Sequence, residues 1–210
     1  MNIKTGTTTL GILYKEGIVL AADKRVTGMG DSVAFIVSKN IKKIIKISDY
    51  AAITTAGSVA DVEQLAKVLS AQVNLYEARS GRRMEIFEMA NLFSTINFQN
   101  RFGLIPSEFI LGGFDHSPKL FLLETAGSYI EEDKYAFSGS GSLYAVGVID
   151  AEYKRNMDKS EAISLAIKAL NSAMQRDPYT GEGIDIAIID KNGFKFLEQE
   201  EIQNYLKSKN

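Results

Sequence analysis

Hydroxyl groups are concentrated near the start of the chain, where Gly6-Thr7-Thr8-Thr9 runs directly into an alternating apolar pattern at Leu10, Ile12 and Tyr14. A hydroxyl attacks a carbonyl only when a base takes its proton. The chain has no cysteine and one histidine, His116. That histidine lies in Gly113-Phe114-Asp115-His116-Ser117-Pro118, a turn-like stretch between two apolar runs, where a solvated turn residue is expected. The remaining route is to make the threonine a chain terminus, whose own α-amine, with a reference pKa of roughly 7.7 to 8, accepts a proton near neutral pH. Only six residues precede Thr7. The plainer alternative is that a threonine-rich strand simply reflects β-propensity.

The elements around these residues follow from periodicity. Residues 8 to 14 and 18 to 24 read as strands joined by a tight turn at Lys15-Glu16-Gly17. A two- or three-residue turn there sets Asp23 opposite Thr8 or Thr9, within one or two residues of Thr7. A carboxylate then lies beside the candidate nucleophile, unless Asp23-Lys24-Arg25 is only a polar strand end. Short strand-like runs follow at Phe35 to Val37, Lys43 to Ile47 and Ala51 to Ala56, and Gly57 breaks the pattern.

The period then becomes helical. Ser58-Val59-Ala60-Asp61 fits a capping box, and Val62, Leu65, Ala66, Leu69, Val73 and Tyr76 keep to one face until Gly81. A second helix carries Ile86, Met89, Ala90, Phe93 and Ile96, with Gly103 and Pro106 as its stop. Strands return at about 107 to 113, 119 to 124, 128 to 132 and 135 to 138. A third helix begins near Ser142, and a fourth opens on an Asp158/Glu161 capping box with Ile163, Ile167, Leu170 and Met174 in line. An Asn192-Gly193 hairpin between Ile184 to Ile189 and Phe194 to Leu197, then a short helix, close the chain. Clustered strands separated by helix pairs predict an α+β fold, with two largely antiparallel sheets packed together and helices on their outer faces.

Composition narrows the function classes. With 210 residues, 45% hydrophobic content and no abrupt shift in composition, one domain is expected. A formal charge of −2 argues against nucleic acid as a partner. The clusters Lys39/Lys42/Lys43/Lys46 and Arg79/Arg82/Arg83 lack the interleaved aromatics of a single-strand binder. Without cysteine and with one histidine, a zinc site is not expected. Met1 to Gly6 has no apolar core of a signal peptide and no stretch reaches about 18 apolar residues, so a cytosolic protein is expected, neither secreted nor membrane-bound. Gly139-Ser140-Gly141-Ser142 lacks a phosphate-loop lysine, and Tyr144 stands where GxGxxG needs its last glycine. Arg176-Asp177-Pro178-Tyr179-Thr180-Gly181 reads on spacing alone as a helix exit.

As an ordered set, Gly6-Thr7-Thr8-Thr9-Leu10-Gly11-Ile12, Ala21-Ala22-Asp23-Lys24-Arg25-Val26-Thr27, Asn40-Ile41-Lys42-Lys43-Ile44, Thr55-Ala56-Gly57, Gly112-Gly113, Ser138-Gly139-Ser140-Gly141-Ser142 and Arg176-Asp177 resembles the β subunits of archaeal 20S proteasomes across residues 5 to 200. The resemblance implies the N-terminal nucleophile hydrolase fold, a four-layer αββα sandwich. It also implies self-cleavage between Gly6 and Thr7, which would make residues 1–6 a propeptide and residues 7–210 the catalytic domain. Thr7 would be the nucleophile and its freed α-amine, or a water held by it, the proton shuttle. Lys43 would favour the deprotonated hydroxyl, Asp23 would hold that lysine, and the Gly57 backbone N–H would face the oxyanion. Ser140, Asp177 and Thr180 match the supporting network. Two departures stand out: Thr180 where serine is usual, and Pro178-Tyr179 in place of smaller residues. The stretch Gly28 to Ala34 makes the chain longer than the shortest relatives, so choosing Lys43 over Lys42 rests on the Asn-x-Lys-Lys match.

Val26, Ile41, Ile45, Thr55 and Val59 match the pocket for the side chain preceding the cut bond and imply an apolar preference. The resemblance implies no metal or organic cofactor, and unfolded polypeptide as substrate. Its implied partners are the other β subunits of a heptameric ring stacked on a second β ring, α rings capping both, and an unfolding ATPase docking on those. Two rivals fit less well. A non-catalytic β subunit needs none of Gly6, Thr7, Asp23, Lys43 and Gly57, and the bacterial two-ring protease without α subunits is shorter.

Overall fold

The computed structural model describes residues 6–29, 34–103 and 107–207. Strands β1 (Thr9–Tyr14) and β2 (Gly17–Asp23) form the expected hairpin. Its register pairs Tyr14 with Gly17 and Thr9 with Ala22, and the Asp23 N–H donates to the Thr8 carbonyl at 3.2 Å. Next come β3 (Val26–Met29) and β4 (Ala34–Ser38), which pair only with each other. Most of the added stretch between Gly28 and Ala34 lies outside the described residues. Strands β5 (Ile44–Ser48) and β6 (Ala51–Ala56) lead into helices α1 (Val59–Ser80) and α2 (Ile86–Asn100). Four strands follow, β7 (Glu108–Phe114), β8 (Pro118–Glu124), β9 (Tyr129–Glu132) and β10 (Tyr135–Ser138). The chain ends with α3 (Ser142–Glu152), α4 (Lys159–Arg176), β11 (Ile184–Asp190), β12 (Gly193–Phe196) and α5 (Gln199–Lys207).

Two five-stranded sheets carry the fold, ordered β10-β1-β2-β11-β12 and β5-β6-β7-β8-β9. All their pairings are antiparallel. The two-residue side-chain period sorts each strand onto two apolar faces. On β2, Val19 and Ala21 join Leu10, Ile12, Ile163, Ala166 and Leu170 in a core between the first sheet and α3/α4. The alternate residues Ile18, Leu20 and Ala22 meet Ala52, Ile110 and Leu120 of the second sheet. That sheet's outer face puts Ile53, Phe109, Leu111 and Phe121 against Leu69, Met89 and Phe93 of α1 and α2. The layers are therefore helix, sheet, sheet, helix, the αββα order of the N-terminal nucleophile hydrolase sandwich. Because β2 is buried on both faces, its continuous apolar run needs no polar alternation. Among the described residues, no helix is long and apolar enough to cross a membrane.

Helix ends agree with the sequence except at the N-termini of α1 and α2. Asp158 and Glu161 form the reciprocal capping box on α4, and Gly81 closes α1 at φ 70°. The box expected at Ser58-Asp61 is absent. Ser58 has the extended backbone of an N-cap (φ −68°, ψ 117°), but its hydroxyl makes no capping bond. A capping box instead opens α2, where Glu85 and Glu88 bond reciprocally. Glutamate lies outside the short Ser/Thr/Asp/Asn set that marks such caps in a sequence. Helix α2 ends at Asn100, and the Pro106 of its expected stop lies outside the described residues.

Candidate active site

Thr7 lies two residues ahead of the first residue of β1 and is 1% exposed. The hairpin sets Asp23 beside it as expected, and the carboxylate is fully buried. Four donors converge on it. Oδ1 accepts the Thr8 N–H at 3.0 Å and Lys43 Nζ at 2.7 Å, while Oδ2 accepts the N–H groups of Arg25 at 3.1 Å and Gly181 at 3.0 Å. Bonds of this number satisfy both carboxylate oxygens without solvent.

Lys43 comes from the residue before β5, and its carbonyl accepts the Thr55 N–H of neighbouring β6 at 3.0 Å. Its side chain is 4% exposed, and Nζ also reaches the Gly6 carbonyl oxygen at 3.5 Å. Burial pulls the ammonium below the ordinary lysine pKa, and Asp23 works against that shift. Lys42 points elsewhere, to Asp185 at 3.0 Å, with its side chain 60% exposed. Lys43, not Lys42, is the lysine that meets Asp23 and the Gly6 carbonyl. Lys39 and Lys46 likewise pair with separate carboxylates, Glu182 and Asp49.

The other side of Thr7 is held from the far end of the chain. Gly139-Ser140-Gly141 turns into α3, and the Thr7 N–H donates to Ser140 Oγ at 3.1 Å. Ser140 Oγ donates in turn to Asp177 Oδ2 at 2.6 Å, and Thr180 Oγ1 donates to the same oxygen at 2.6 Å. Thr180 accepts from Thr8 Oγ1 at 2.7 Å, since its own proton is committed to Asp177. Ser140, Asp177 and Thr180 thus meet as one network, and threonine at 180 makes the hydroxyl bonds with its added methyl buried.

Two glycines here have steric reasons. At Gly139, φ is +93° and a Cβ would fall 2.1 Å from the Thr7 carbonyl oxygen. At Gly57, φ is +137° and a Cβ would lie 2.1 Å from Ser107 Oγ. Gly57 joins Thr7, Val26, Ile41, Lys43, Ile45 and Thr55 around a narrow pocket of about 20 Å³ free space, room for about one water. Lys42 also lines it, as do Val62 and Glu63, which the sequence did not single out for the site. Val59 opens α1, but its side chain lies outside the described residues. Across Gly57 lies a wider cavity of about 690 Å³ lined by Arg101, Phe102, Glu108 and Gly139, also unforeseen. His116 is an exposed turn residue between β7 and β8. Among the described residues, no group of three or more acidic or histidine side chains is placed to hold a metal ion.

Thr8, Arg25, Tyr179 and Gly181 were missed as site residues. Thr8 was visible as the hairpin partner of Asp23, but Gly181 reaches that carboxylate across 158 positions of sequence. The site is a buried threonine flanked by a lysine–carboxylate pair on one side and a serine–aspartate–threonine network on the other. This arrangement can polarise the Gly6 carbonyl and orient the Thr7 nitrogen.

Known proteins similar to this chain are proteasome subunits. The family model described as proteasome subunit matches residues 3–189. A "Proteasome subunit beta" of Methanocaldococcus fervens is 43% identical over 98% of this chain and 91% of its own length. One of Methanococcus vannielii is 44% identical over 96% of this chain and 91% of its own. A "Proteasome subunit beta 2" of Ignicoccus hospitalis is 47% identical over 90% of this chain and 86% of its own. The chain belongs to the proteasome subunit family, among the β subunits of archaeal type.

Proposed function

We propose that this chain is a threonine endopeptidase that first cuts itself between Gly6 and Thr7. Residues 1–6 are then a propeptide and residues 7–210 the catalytic domain. In the first step, Thr7 Oγ1 attacks the Gly6 carbonyl carbon and the hydroxyl proton passes to the departing Thr7 nitrogen. The resulting ester is hydrolysed by water, which releases residues 1–6 and frees the α-amine. In each later turnover, that amine or a water on it takes the Oγ1 proton and passes it to the substrate's peptide nitrogen, which leaves as an amine when the C–N bond breaks, and the acyl group is held as an ester until water removes it.

The observation that carries this reading is Lys43 Nζ, bonded to Asp23 at 2.7 Å and reaching the Gly6 carbonyl oxygen at 3.5 Å. A cation there stabilises the alkoxide of the attacking threonine and the oxyanion that follows. Ser140, hydrogen-bonded to the Thr7 nitrogen, keeps the same nitrogen oriented once it is an amine. The Gly57 N–H supplies oxyanion stabilisation, and Asp177 and Thr180 hold Ser140 and Thr8. The pocket of Val26, Ile41, Ile45 and Thr55, with Val59 at the start of α1, favours apolar side chains before the cut bond.

In this reading, the chain works in the cytosol on unfolded polypeptide inside a closed chamber. That chamber is built from two heptameric rings of β subunits between α rings that receive an unfolding ATPase. The relatives named as proteasome β subunits support such an assembly. The test is peptide hydrolysis by assembled particles: Thr7→Ser should retain activity because a hydroxyl and an amine remain, whereas Thr7→Ala should have none. Hydrolysis by Thr7→Ala would remove the mechanism.

A further inference from the structure

The surroundings of Gly6 are tighter than its backbone requires. Its φ is not in the left-handed region, so conformation makes no demand for glycine. Space does. A Cβ on residue 6 would lie 1.8 Å from Cβ of Tyr179, 2.5 Å from its Cγ and 3.0 Å from Ser140 Oγ. The nearest obstacle is the root of the tyrosine side chain, which rotation about χ1 does not move.

Nor can the Tyr179 backbone give way freely. Its N–H donates to Asp177 Oδ1 at 3.1 Å, and the Thr180 N–H donates to the Asp177 carbonyl at 3.2 Å. Arg25 Nη1 donates to the Pro178 carbonyl at 2.7 Å, and the Gly181 N–H donates to Asp23 Oδ2 at 3.0 Å. Asp23 is the partner of Lys43. A push on Tyr179 therefore reaches the carboxylate that positions the lysine at the Gly6 carbonyl.

We infer that Tyr179 is a positioning residue for self-cleavage, a wall that restricts the residue before the nucleophile to glycine. The inference rests on the self-cleavage reading above and explains how one nucleophile serves two specificities. Before the cut, residue 6 is tethered to the Thr7 nitrogen, which lies on Ser140, and so must fit between Ser140 and Tyr179. A substrate has no such tether, so the residue before its cut bond need not lie between Ser140 and Tyr179, and the apolar lining at Val26 and Ile45 is on offer to its side chain. The Asp177-to-Gly181 segment, which reads on spacing alone as a helix exit, thereby acquires a role in maturation through the Cβ at position 179.

The test is the intact mass of this chain in particles purified after co-expression with α subunits. The native chain should lose residues 1–6, whereas Gly6→Ala should be cut at least about a hundredfold more slowly, the scale of a roughly 1 Å misplacement of reacting groups. Tyr179→Ala should not rescue Gly6→Ala, because alanine keeps the clashing Cβ. Tyr179→Gly should rescue it and restore the cut after residue 6. Cutting of Gly6→Ala at the native rate overturns this inference alone. So does a Gly6→Ala/Tyr179→Gly chain that enters the particle uncut or fails to enter it. A native chain that keeps residues 1–6 in a finished particle overturns the self-cleavage reading and this inference together.

Discussion

Lys43 Nζ stands 2.7 Å from Oδ1 of Asp23, with both side chains almost wholly withdrawn from solvent. A buried ion pair is costly to assemble and more costly to halve, because the surviving charge has no water to turn to. The two halves here are unequal. Without Lys43, the carboxylate keeps the N–H donors of Thr8, Arg25 and Gly181; without Asp23, the ammonium keeps, among the described residues, the Gly6 carbonyl at 3.5 Å.

Asp23→Ala is therefore expected to destabilise the chain by about 3–5 kcal/mol, and Lys43→Met by distinctly less. Urea unfolding of the two variants measures the difference. Both should abolish peptide hydrolysis, so the contrast lies in stability alone.

The lowered lysine pKa gives a signed pH dependence. An unfolded lysine holds its proton up to about 10.5, while buried Lys43 releases it earlier. Between those values the unfolded chain binds more protons, so the stability contributed through this residue rises with pH across that window. Catalysis runs the other way there. The rate should climb as the α-amine deprotonates through roughly 7.7 to 8, then fall below pH 10.5 as Lys43 loses its charge. The profile of kcat/KM should therefore be a bell. A plateau extending past pH 10.5 would sink this assignment.

Gly57→Ala should lower kcat by about 10²–10³-fold, the usual loss of one oxyanion donor. Its added Cβ must displace Ser107, whose Cα would be only 3.0 Å away, from a φ of +137°. Steady-state kinetics on assembled particles should show the loss in kcat with KM little changed.

Lys42→Ala separates the adjacent lysines. It removes a partly exposed bond to Asp185 and should leave hydrolysis at the native rate. Because Asp185 Oδ2 already lacks a partner and the residue is buried, some stability should be lost, on the order of 1 kcal/mol. A Lys42 variant without peptidase activity would contradict the choice of Lys43.

The β1–β2 hairpin could be read in advance because turn length and alternation together admit few registers, and Asp23 beside Thr8 followed from it. Of the β3–β4 ribbon, β4 showed in advance as the run Phe35 to Val37, but β3 did not, since four residues at 26–29 carry too little periodicity. The α2 cap escaped because Glu85 is an unusual first residue, and Ser58 misled because its type fits a cap its hydroxyl does not make. Around Thr7, the nearby half of the site was legible as local geometry. The distant half joins residues 133 positions apart, where only packing decides which hydroxyl meets which amide. Tyr179 against Gly6 belongs to that second kind.

The most direct measurement is the N-terminal mass of this chain in finished particles, taken for the native sequence and for Thr7→Ala. A native chain beginning at Thr7, with Thr7→Ala retaining residues 1–6, is the predicted pair of results. A Thr7→Ala chain that still loses residues 1–6 in particles free of any other active subunit would contradict the claim that Thr7 makes the cut.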